Sequence, residues 1–324
     1  MVIDNSPNFT LPAITNKDKY KCFLGEFETP LVWKNIISHS ILHIVAVCYI
    51  FIHDYKNHPW IMVYAYTIFV ISIFGINGGA HRLWTHRSYK VKTPLKVILL
   101  VSYSTTGMYS VLDWVRDHRV HHKYSDTNAD PHNINRGFLF AHVGWLCMKR
   151  HPDVIKKGRE IDISDIKDDP LIRFHTKYYQ WFRLFFCFVL PSMIPPLLWG
   201  EPWIVSILTN SFVKYAAVLN ATWTVNSLAH YFGNKPYDKN LRPTQNLLVA
   251  FLTKGEGHHN FHHAFPWDYR ASEFLHMFHV TTIAIEFFHK LGWAYDLKTV
   301  SPEVLRKTIE RCGDGTHELS KLTN

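Results

Sequence analysis

Histidines cluster at three places along the chain, at spacings that suit metal binding. The first cluster, HRLWTH, carries His81 and His86. The other two, HRVHH and HNFHH, repeat one pattern, with histidines at positions i, i+3 and i+4. Because these positions share one face of an α-helix, each cluster can present three imidazoles to one place. The histidines of these two clusters are His118, His121, His122, His259, His262 and His263.

A further candidate pair is Asn226 and His230, whose i, i+4 spacing also places them on one helix face. Nine histidines and one asparagine are too many ligands for one ion but suit two ions. Imidazole suits zinc, copper, iron and nickel, and the sequence has neither a cysteine within the clusters nor an HExxH zinc-protease motif. We therefore expect a site for two metal ions with nitrogen ligands.

Carboxylates beside the clusters do not repeat at ligand spacing, so we expect them to hold the second ring nitrogen of the histidines and to fix the tautomer. They are Asp117, Asp126, Asp130, Glu256 and Asp268. One more histidine of GEGHHNFHH, His258, falls outside the i, i+3, i+4 register. We expect His258 to face away from the metals and to be dispensable for binding them.

The composition indicates a membrane protein with a large polar part. Hydrophobic residues make up 47% of the 324 residues, while charged residues still make up 19%. The net charge of +9 is compatible with nucleic acid, an anionic membrane surface or acidic partners, and the long apolar segments favour the last two over nucleic acid. Five scattered cysteines without a CxxC pair fit a reducing compartment rather than a disulfide framework.

Four apolar segments are long enough to cross a bilayer, which takes about 20 residues in a helix. They cover about 36–52, 60–79, 181–199 and 203–225. The short links HDYKNHP and GEP join them into two hairpins. A fifth apolar run, 95–112, is the weakest, and a crossing there would separate the first histidine cluster from the other two. We therefore expect this run to pack against the metal-binding part or to lie in the membrane interface.

Basic residues are concentrated in the segments that carry the histidines, whereas the turns at 53–59 and 200–202 hold only Lys56. The positive-inside rule then places both termini and all three clusters in the cytosol. The expected fold is an all-α integral membrane protein, a single domain over residues 1–324, with four transmembrane helices capped by a cytosolic helical metal domain. Its cytosolic parts would be 81–180, 226–299 and a tail at 300–324.

Four longer motifs stand in order around the two hairpins: HRLWTH, HRVHHKYSDTNADPHN, NSLAHYFG and GEGHHNFHHAFPWDY. In this order they resemble the membrane acyl-CoA desaturases of the stearoyl-CoA desaturase type, and among them the insect branch. The resemblance implies a cytosolic di-iron domain on four helices in the endoplasmic reticulum membrane. It also implies removal of two hydrogens from adjacent methylenes of a fatty acyl-CoA, with O2 and with electrons from cytochrome b5 and its reductase.

Matched motif by motif, the resemblance implies two ligand sets and no catalytic side chain beyond them. One iron ion would be held by His81, His86, His118, His122 and His263. The other would be held by His121, His230, His259 and His262, with Asn226 acting through a water. The chemistry agrees, because an unactivated methylene offers acid–base catalysis nothing to act on and a metal-based oxidant is required.

The resemblance also implies substrate contacts. Positions that contact coenzyme A or its pantetheine arm in the family correspond to Asn35, Arg116, Asp117, Lys149, Arg150 and Trp223. The pair at the bend of the acyl tunnel corresponds to Trp114 and Thr222. We expect Phe69 and Ile73, on the second span, to close the tunnel and to limit the chain length of the substrate.

Departures from the family pattern bear on where the double bond is placed. Met108 and Tyr109 stand where Δ9 relatives commonly carry Gln-Asn at the acyl tunnel, and His258 stands where an aromatic residue is common. These changes favour Δ11 or another regioselectivity of the insect pheromone branch, with Δ9 desaturation of stearoyl- or palmitoyl-CoA as the alternative. A hydroxylase, or an acetylene- or diene-forming enzyme, would use the same centre. A metal transporter is disfavoured, because the clusters lie at or beyond the membrane boundary.

Overall fold

The computed structural model describes residues 20–22, 25–273 and 279–321. The polar N-terminal segment 1–19 and the last three residues of the 300–324 tail, both predicted to be cytosolic, lie outside the described residues. Within the described part the regular secondary structure is helical apart from four short strands. Two antiparallel pairs contain them: Tyr20–Cys22 with Gly25–Phe27, and Lys90–Val91 with Ala294–Tyr295.

Four helices are long and apolar enough to cross a membrane, which confirms the predicted number. We call them spans 1 to 4; they are Trp33–Ile52, Pro59–Thr85, Tyr179–Trp199 and Trp203–Tyr231. Their outer faces are apolar and exposed, as lipid contact requires: Phe51 is 82% exposed and Ile44 is 62% exposed. Trp60 and Trp181 are exposed at the ends of spans 2 and 3, where interfacial tryptophans belong.

Spans 2 and 4 run beyond the ends expected from hydropathy, by about one and a half turns each. Span 2 changes from α-helix to π-helix at Gly75 and continues to Thr85, and its last turns bury the polar side chains of His81 and Arg82. Hydropathy ends a span where polar residues begin. Here those residues face the protein interior rather than water, so the helix continues and delivers histidines to the interior.

The fifth apolar run does not form a span, as predicted. It divides into a short helix, Thr93–Ser104, and the start of the next helix, Val111–Lys123. The short helix packs against the π-helical part of span 2 at Gly75, where a β-carbon would penetrate the backbone of Tyr103. A residue without a side chain is therefore required for this close approach.

The remaining helices either lie outside the spans or are parts of spans 3 and 4. Those outside the spans are Ile134–Arg136, Phe140–Gly144, Trp145–Cys147, Pro152–Arg159, Ser164–Lys167, Pro170–Lys177, Leu247–Thr253, His259–Ala264, Val280–Lys290, Pro302–Cys312 and Glu318–Lys321. Span 3 comprises Tyr179–Phe182, Arg183–Val189 and Leu190–Trp199, and span 4 comprises Trp203–Ile207, Leu208–Lys214, Tyr215–Asn226 and Leu228–Tyr231. The main apolar core joins spans 2 and 4 to helices Thr93–Ser104 and Val111–Lys123, so these elements hold one another in register.

Candidate metal centre and substrate cavity

Nine histidine side chains converge in the interior as two sets, and within each set the candidate ligand atoms lie within 4.8 Å of one another. The first set is His81, His86, His118, His122 and His262. The Nε2 atom of His262 lies 2.9 Å from Nε2 of His81 and 3.0 Å from Nε2 of His122. Imidazoles from three separate segments of the chain therefore point at one place.

The second set is His121, His230, His259 and His263. The Nε2 atom of His259 lies 3.1 Å from Nε2 of His230 and 3.1 Å from Nε2 of His263. The two sets adjoin, because the rings of His122 and His263 are stacked with centroids 4.1 Å apart. This arrangement can hold two neighbouring ions.

The division between the sets differs from the one implied by the family resemblance at two positions. His262 belongs to the first set and His263 to the second, so the implied assignment of these two residues is wrong. Adjacent residues on an α-helix point about 100° apart, so helix His259–Ala264 directs them to different places. Which residue faces which set depends on the rotation of this helix within the fold, which spacing alone does not determine.

Four elements position the histidines. The end of span 2 carries His81, helix Val111–Lys123 carries the HRVHH cluster, the end of span 4 carries His230, and helix His259–Ala264 carries the third cluster. Helix Val111–Lys123 begins at a definite residue, because the Ser110 side chain accepts a hydrogen bond from the backbone N–H of Asp113 at 3.2 Å. This N-cap sets where the repeat of histidines falls along the helix.

Three of the five carboxylates hold a histidine by its second ring nitrogen, as predicted. Glu256 lies 3.1 Å from Nδ1 of His81, Asp130 lies 2.9 Å from Nδ1 of His121, and Asp126 lies 3.5 Å from Nδ1 of His230. A carboxylate accepts, so Nδ1 carries the proton and Nε2 presents its lone pair. The other two pair with arginines instead, Asp117 with Arg150 and Asp268 with Arg270.

Burial keeps most of these imidazoles neutral. It lowers the pKa well below its ordinary value in His86, His118, His122, His259, His262 and His263, and neighbouring imidazoles lower it further. His121 is different: burial lowers its pKa, but the Asp130 carboxylate outweighs burial and the net shift is upward. A carboxylate on Nδ1 makes an imidazole a stronger metal ligand.

The donor set fits metal ions. Imidazole nitrogens from several histidines converge to within about 3 Å of one another, as ligands of a shared cation do. The Nε2 atoms of His86 and His118 are buried and have no hydrogen-bond partner among the described residues. A buried polar atom without a partner costs free energy, and a metal ion would satisfy both nitrogens.

A buried ion pair supports the first set, and sequence reasoning missed it. Arg82 is 1% exposed and donates from Nη2 to Glu256 at 2.8 Å and from Nη1 to Thr282 at 2.9 Å. Burial alone would raise the pKa of Glu256, but Arg82 and His81 outweigh it and lower it to about 2. The signal in the sequence was an arginine next to a candidate ligand at the membrane boundary, where a charge needs a partner.

A cavity of about 540 Å³ opens onto the histidines, reaching His81, His118 and His259. Most of the predicted substrate and tunnel residues line it. These are Asn35, Ile73, Met108, Tyr109, Trp114, Asp117, Arg150, Thr222 and Trp223, together with the candidate ligand Asn226. The structure thus joins the predicted metal site and the predicted substrate site in one space.

Three predicted contacts lie away from this cavity. Arg116 turns to Asp113 at 3.0 Å and to Asp117 at 3.2 Å, so it acts on the cavity through these two carboxylates, which line the wall. Lys149 is exposed, since its backbone pairs with the segment before span 1 and its side chain points outward. Phe69 stacks on Tyr66, with ring centroids 6.0 Å apart, one turn further from the histidines than Ile73.

Two of the cavity-wall residues that sequence reasoning did not single out, His132 and Arg183, carry side chains that can bear a charge. His132 is 7% exposed, lies next to Asp130 and His121, and contacts Trp145 edge to face at 4.4 Å. Arg183 enters the wall from span 3. His132 stands in the segment ADPHN directly after the second cluster, and this proximity was the available signal.

Fold and site together define a helical, multi-pass membrane protein with a histidine-rich site for two metals at the inner end of a substrate cavity. Residues 57–296 match the family model of fatty acid desaturases. The chain is 47% identical over 299 residues to an acyl-CoA Delta(11) desaturase of Spodoptera littoralis, and the aligned region covers 90% of this chain and 87% of that protein. The chain belongs to the fatty acid desaturase family.

Two further relatives carry other descriptions. An acyl-CoA Delta-9 desaturase of Acheta domesticus is 45% identical over 294 residues, covering 90% of this chain and 82% of that protein. The stearoyl-CoA desaturase of Homo sapiens is 46% identical over 288 residues, covering 89% and 80% respectively. Identity at this level is equally shared among relatives with different names, so overall identity does not assign a double-bond position.

Proposed function

We propose that this protein is an acyl-CoA desaturase that inserts a double bond into a saturated or monounsaturated fatty acyl-CoA. O2 is the oxidant, and cytochrome b5 and its reductase supply electrons. The observation that carries the proposal is the continuity of one cavity from Arg150 and Asp117 to the ligand atoms of His81, His118 and His259. A substrate with a polar head and an apolar chain can place a methylene beside the histidines in such a cavity.

Two iron ions are the cofactors proposed. The first would be held by the set that includes His262, and the second by the set that includes His263, with Asn226 acting on the second through a water. Imidazole suits both iron and copper, which support O2 chemistry, and iron is the metal of the fatty acid desaturase family. When bound, the ions supply the oxidising power that removes hydrogens from an unactivated methylene.

The residues at the polar end of the cavity would bind the coenzyme A part of the substrate. Arg150 donates to Asp117 at 2.7 Å, and Asn35 donates to the backbone of Leu146 at 2.7 Å, so both side chains are held in place before substrate arrives. Burial raises the pKa of Asp117, but Arg150 and Arg116 outweigh it and the net shift is downward. An arginine held in place suits the recognition of a phosphate or an amide. Lys149, the exposed residue before it, would bind a phosphate group of coenzyme A.

The walls near the histidines would orient the acyl chain and exclude water. Trp114 packs its ring on His118 at 4.7 Å, so the tunnel wall and a metal ligand support each other directly. Thr222 and Trp223 form the facing wall from span 4. Fixing the chain in a dry, shaped space decides which pair of methylenes lies beside the metals.

The regioselectivity proposed is Δ11, or another position used by the insect pheromone branch. Met108 and Tyr109 both line the cavity, so the residues that depart from the Δ9 pattern lie where they can act on the acyl chain. The Delta(11) description of the Spodoptera littoralis relative supports this assignment. Δ9 desaturation is the alternative, supported by the Delta-9 description of the Acheta domesticus relative.

The location proposed is the endoplasmic reticulum membrane, with the histidine sets and both termini in the cytosol. Spans 1 and 2, and spans 3 and 4, form hairpins with short connections, so the histidine-bearing parts share one side of the membrane. The excess of lysine and arginine in those parts supports the cytosolic side.

The deciding experiment is expression in a yeast that lacks its own desaturase, with double bonds located by mass spectrometry. Wild type should restore growth and produce unsaturated acyl chains. His118→Ala should abolish the product while the protein still inserts into membranes at normal abundance. Hydroxylated rather than unsaturated product would replace the proposal with a hydroxylase, and activity retained by His118→Ala would contradict the metal assignment.

A further inference from the structure

Three imidazole rings surround Trp223, the cavity residue on span 4. His43 of span 1 stacks on it, with centroids 5.9 Å apart and an interplanar angle of 25°. His39 of the same span meets it edge to face at 5.5 Å, and His142 of helix Phe140–Gly144 does so at 5.7 Å. The indole is 3% exposed, so contacts with these rings rather than solvent determine where it lies.

Two of these rings are tied together through Asn220, one turn before Trp223. The Nδ2 atom of Asn220 lies 2.8 Å from Nε2 of His43, and its Oδ1 lies 3.2 Å from Nε2 of His142. Beyond these contacts, His43 Nδ1 lies 2.7 Å from the carbonyl oxygen of His39, and His142 Nδ1 lies 2.9 Å from the hydroxyl of Ser227. One chain of hydrogen bonds therefore links span 1, span 4 and a cytosolic helix.

The directions of the bonds that His43 and His142 make with Asn220 follow from the amide of Asn220. Its Nδ2 also donates to the carbonyl of Ala216 at 2.8 Å, so Nδ2 uses both protons and the orientation of the amide is determined. His43 Nε2 must then accept, which leaves Nδ1 to donate to the His39 carbonyl. His142 Nε2 must donate to Asn220, which leaves its Nδ1 as an acceptor beside the Ser227 hydroxyl, whose one proton is shared between this nitrogen and the carbonyl oxygen of Trp223 at 3.0 Å. Each ring is held in one tautomer and one orientation.

Such a network is costly in a membrane unless it serves a purpose. Polar groups within a bilayer must find partners in the protein, and intramembrane histidines are rare. Apolar packing of leucine and phenylalanine side chains would join spans 1 and 4 as firmly as this polar network does. What the polar network adds is a single permitted geometry, because its bonds are directional and each has one donor and one acceptor.

We infer that His43, Asn220 and His142 are positioning residues that fix Trp223 and thereby set the register of the acyl chain against the metal centre. This inference rests on the proposed function, since it concerns the same cavity. Trp223 lies in the cavity wall with Thr222, and the network ends at Ser227, directly after the candidate ligand Asn226. The network thus ties the tunnel wall to the end of the helix that carries a ligand.

The test compares two asparagines of span 4, half-buried Asn220 and buried Asn210, that each donate Nδ2 to the carbonyl four residues earlier. Asn220→Leu removes the network, whereas Asn210→Leu removes a similar amide, bonded to Ser206 at 3.0 Å, that lies outside the cavity wall. The readout is the distribution of double-bond positions per amount of membrane-inserted protein. We expect Asn220→Leu to raise the share of minor positional isomers several-fold, and Asn210→Leu to change only the yield.

Ring-preserving variants separate packing from hydrogen bonding and keep the test decisive if Asn220→Leu fails to accumulate. His43→Phe and His142→Phe keep a ring against Trp223 but lose the directional bonds, and both should broaden the positional distribution. His43→Gln, which retains a donor and an acceptor, should restore much of the wild-type distribution. An unchanged distribution in all network variants would overturn the inference. Absence of unsaturated product from wild type would instead overturn the proposed function.

Discussion

At the scale of single residues, the spacing of the histidines predicts which residues converge at the metal centre but not which of the two sets each one joins. The i, i+3, i+4 pattern predicts a shared helix face for His259, His262 and His263, and all three join the converging nitrogens. Their division between two sets does not follow, because neighbouring positions diverge by about 100° and the rotation of the helix is a tertiary property. Arg183 was beyond reach for a similar reason, since only the packing of span 3 turns it toward the cavity.

His258 provides a residue-scale test of the register. It occupies the N-cap position of helix His259–Ala264, and its ring lies 5.1 Å from that of His279 rather than among the ligand atoms. We expect His258→Phe to keep the iron content of purified protein, measured by elemental mass spectrometry. His259→Phe is the matched variant one residue away, also buried, and should lose iron. Equal losses in the two variants would show that the register is wrong.

At the scale of elements, hydropathy predicts how many spans exist but not where the inner ends of two of them lie. The boundary signal is the onset of polar residues, and at the ends of spans 2 and 4 those residues are buried ligands and their partners. For the run at 95–112 a different argument gave the right prediction. All histidine clusters must lie on one side of the membrane, and this requirement excluded a span there despite the apolar residues. Geometry imposed by the site was thus a better guide there than composition.

Span 2 also carries the element-scale prediction for chain length. Ile73 is 2% exposed and lines the cavity, so Ile73→Ala should lengthen the available space and shift preference toward longer acyl chains. Phe69→Ala should shift it less, because Phe69 lies beyond the cavity wall. Ile61→Ala is the control, because Ile61 is 0% exposed on the same helix but far from the cavity. Each of the two isoleucine substitutions should lower the free energy of unfolding by a similar ~2–5 kcal/mol.

The products of a mixed acyl-CoA panel, analysed by gas chromatography, check this prediction. Ile61→Ala should lower yield without changing chain-length preference. If Ile73→Ala and Ile61→Ala give the same chain-length profile as wild type, the cavity end lies elsewhere.

The packing of span 2 on helix Thr93–Ser104 gives a second element-scale prediction. A methyl group at position 75 would overlap the backbone at Tyr103, so Gly75→Ala should force the two helices apart and cost about 1–3 kcal/mol or more. Gly158→Ala is the control, because a β-carbon there meets Arg116 at an ordinary 3.6 Å. Thermal unfolding in detergent should show a clear fall in Tm for Gly75→Ala and little change for Gly158→Ala. A similar Tm for both would mean that the close approach is not required.

At the scale of the whole molecule, glycosylation of inserted acceptors tests the orientation in the membrane. A flexible segment bearing an Asn-Xaa-Thr acceptor, inserted into the turn at 53–58, should be glycosylated because that turn would face the lumen. The same segment inserted at 313–316 should remain unmodified. The natural acceptor at Asn8, in Asn-Phe-Thr, should also stay unmodified if the N-terminus is cytosolic. The reverse pattern of modification would invert the topology.

The close packing of helix Thr93–Ser104 on span 2 has a consequence for how the chain inserts into the membrane. This helix leaves the ribosome after span 2, with an apolar face that a membrane-insertion machine could draw into lipid. Its 12 residues are too few to cross, and its far end is rich in serine and threonine, so release from lipid on the side of the histidines is favoured. We therefore expect insertion of the chain to depend on span 2 being in place before this helix is released. A helix lengthened enough to cross at this point should invert the second hairpin.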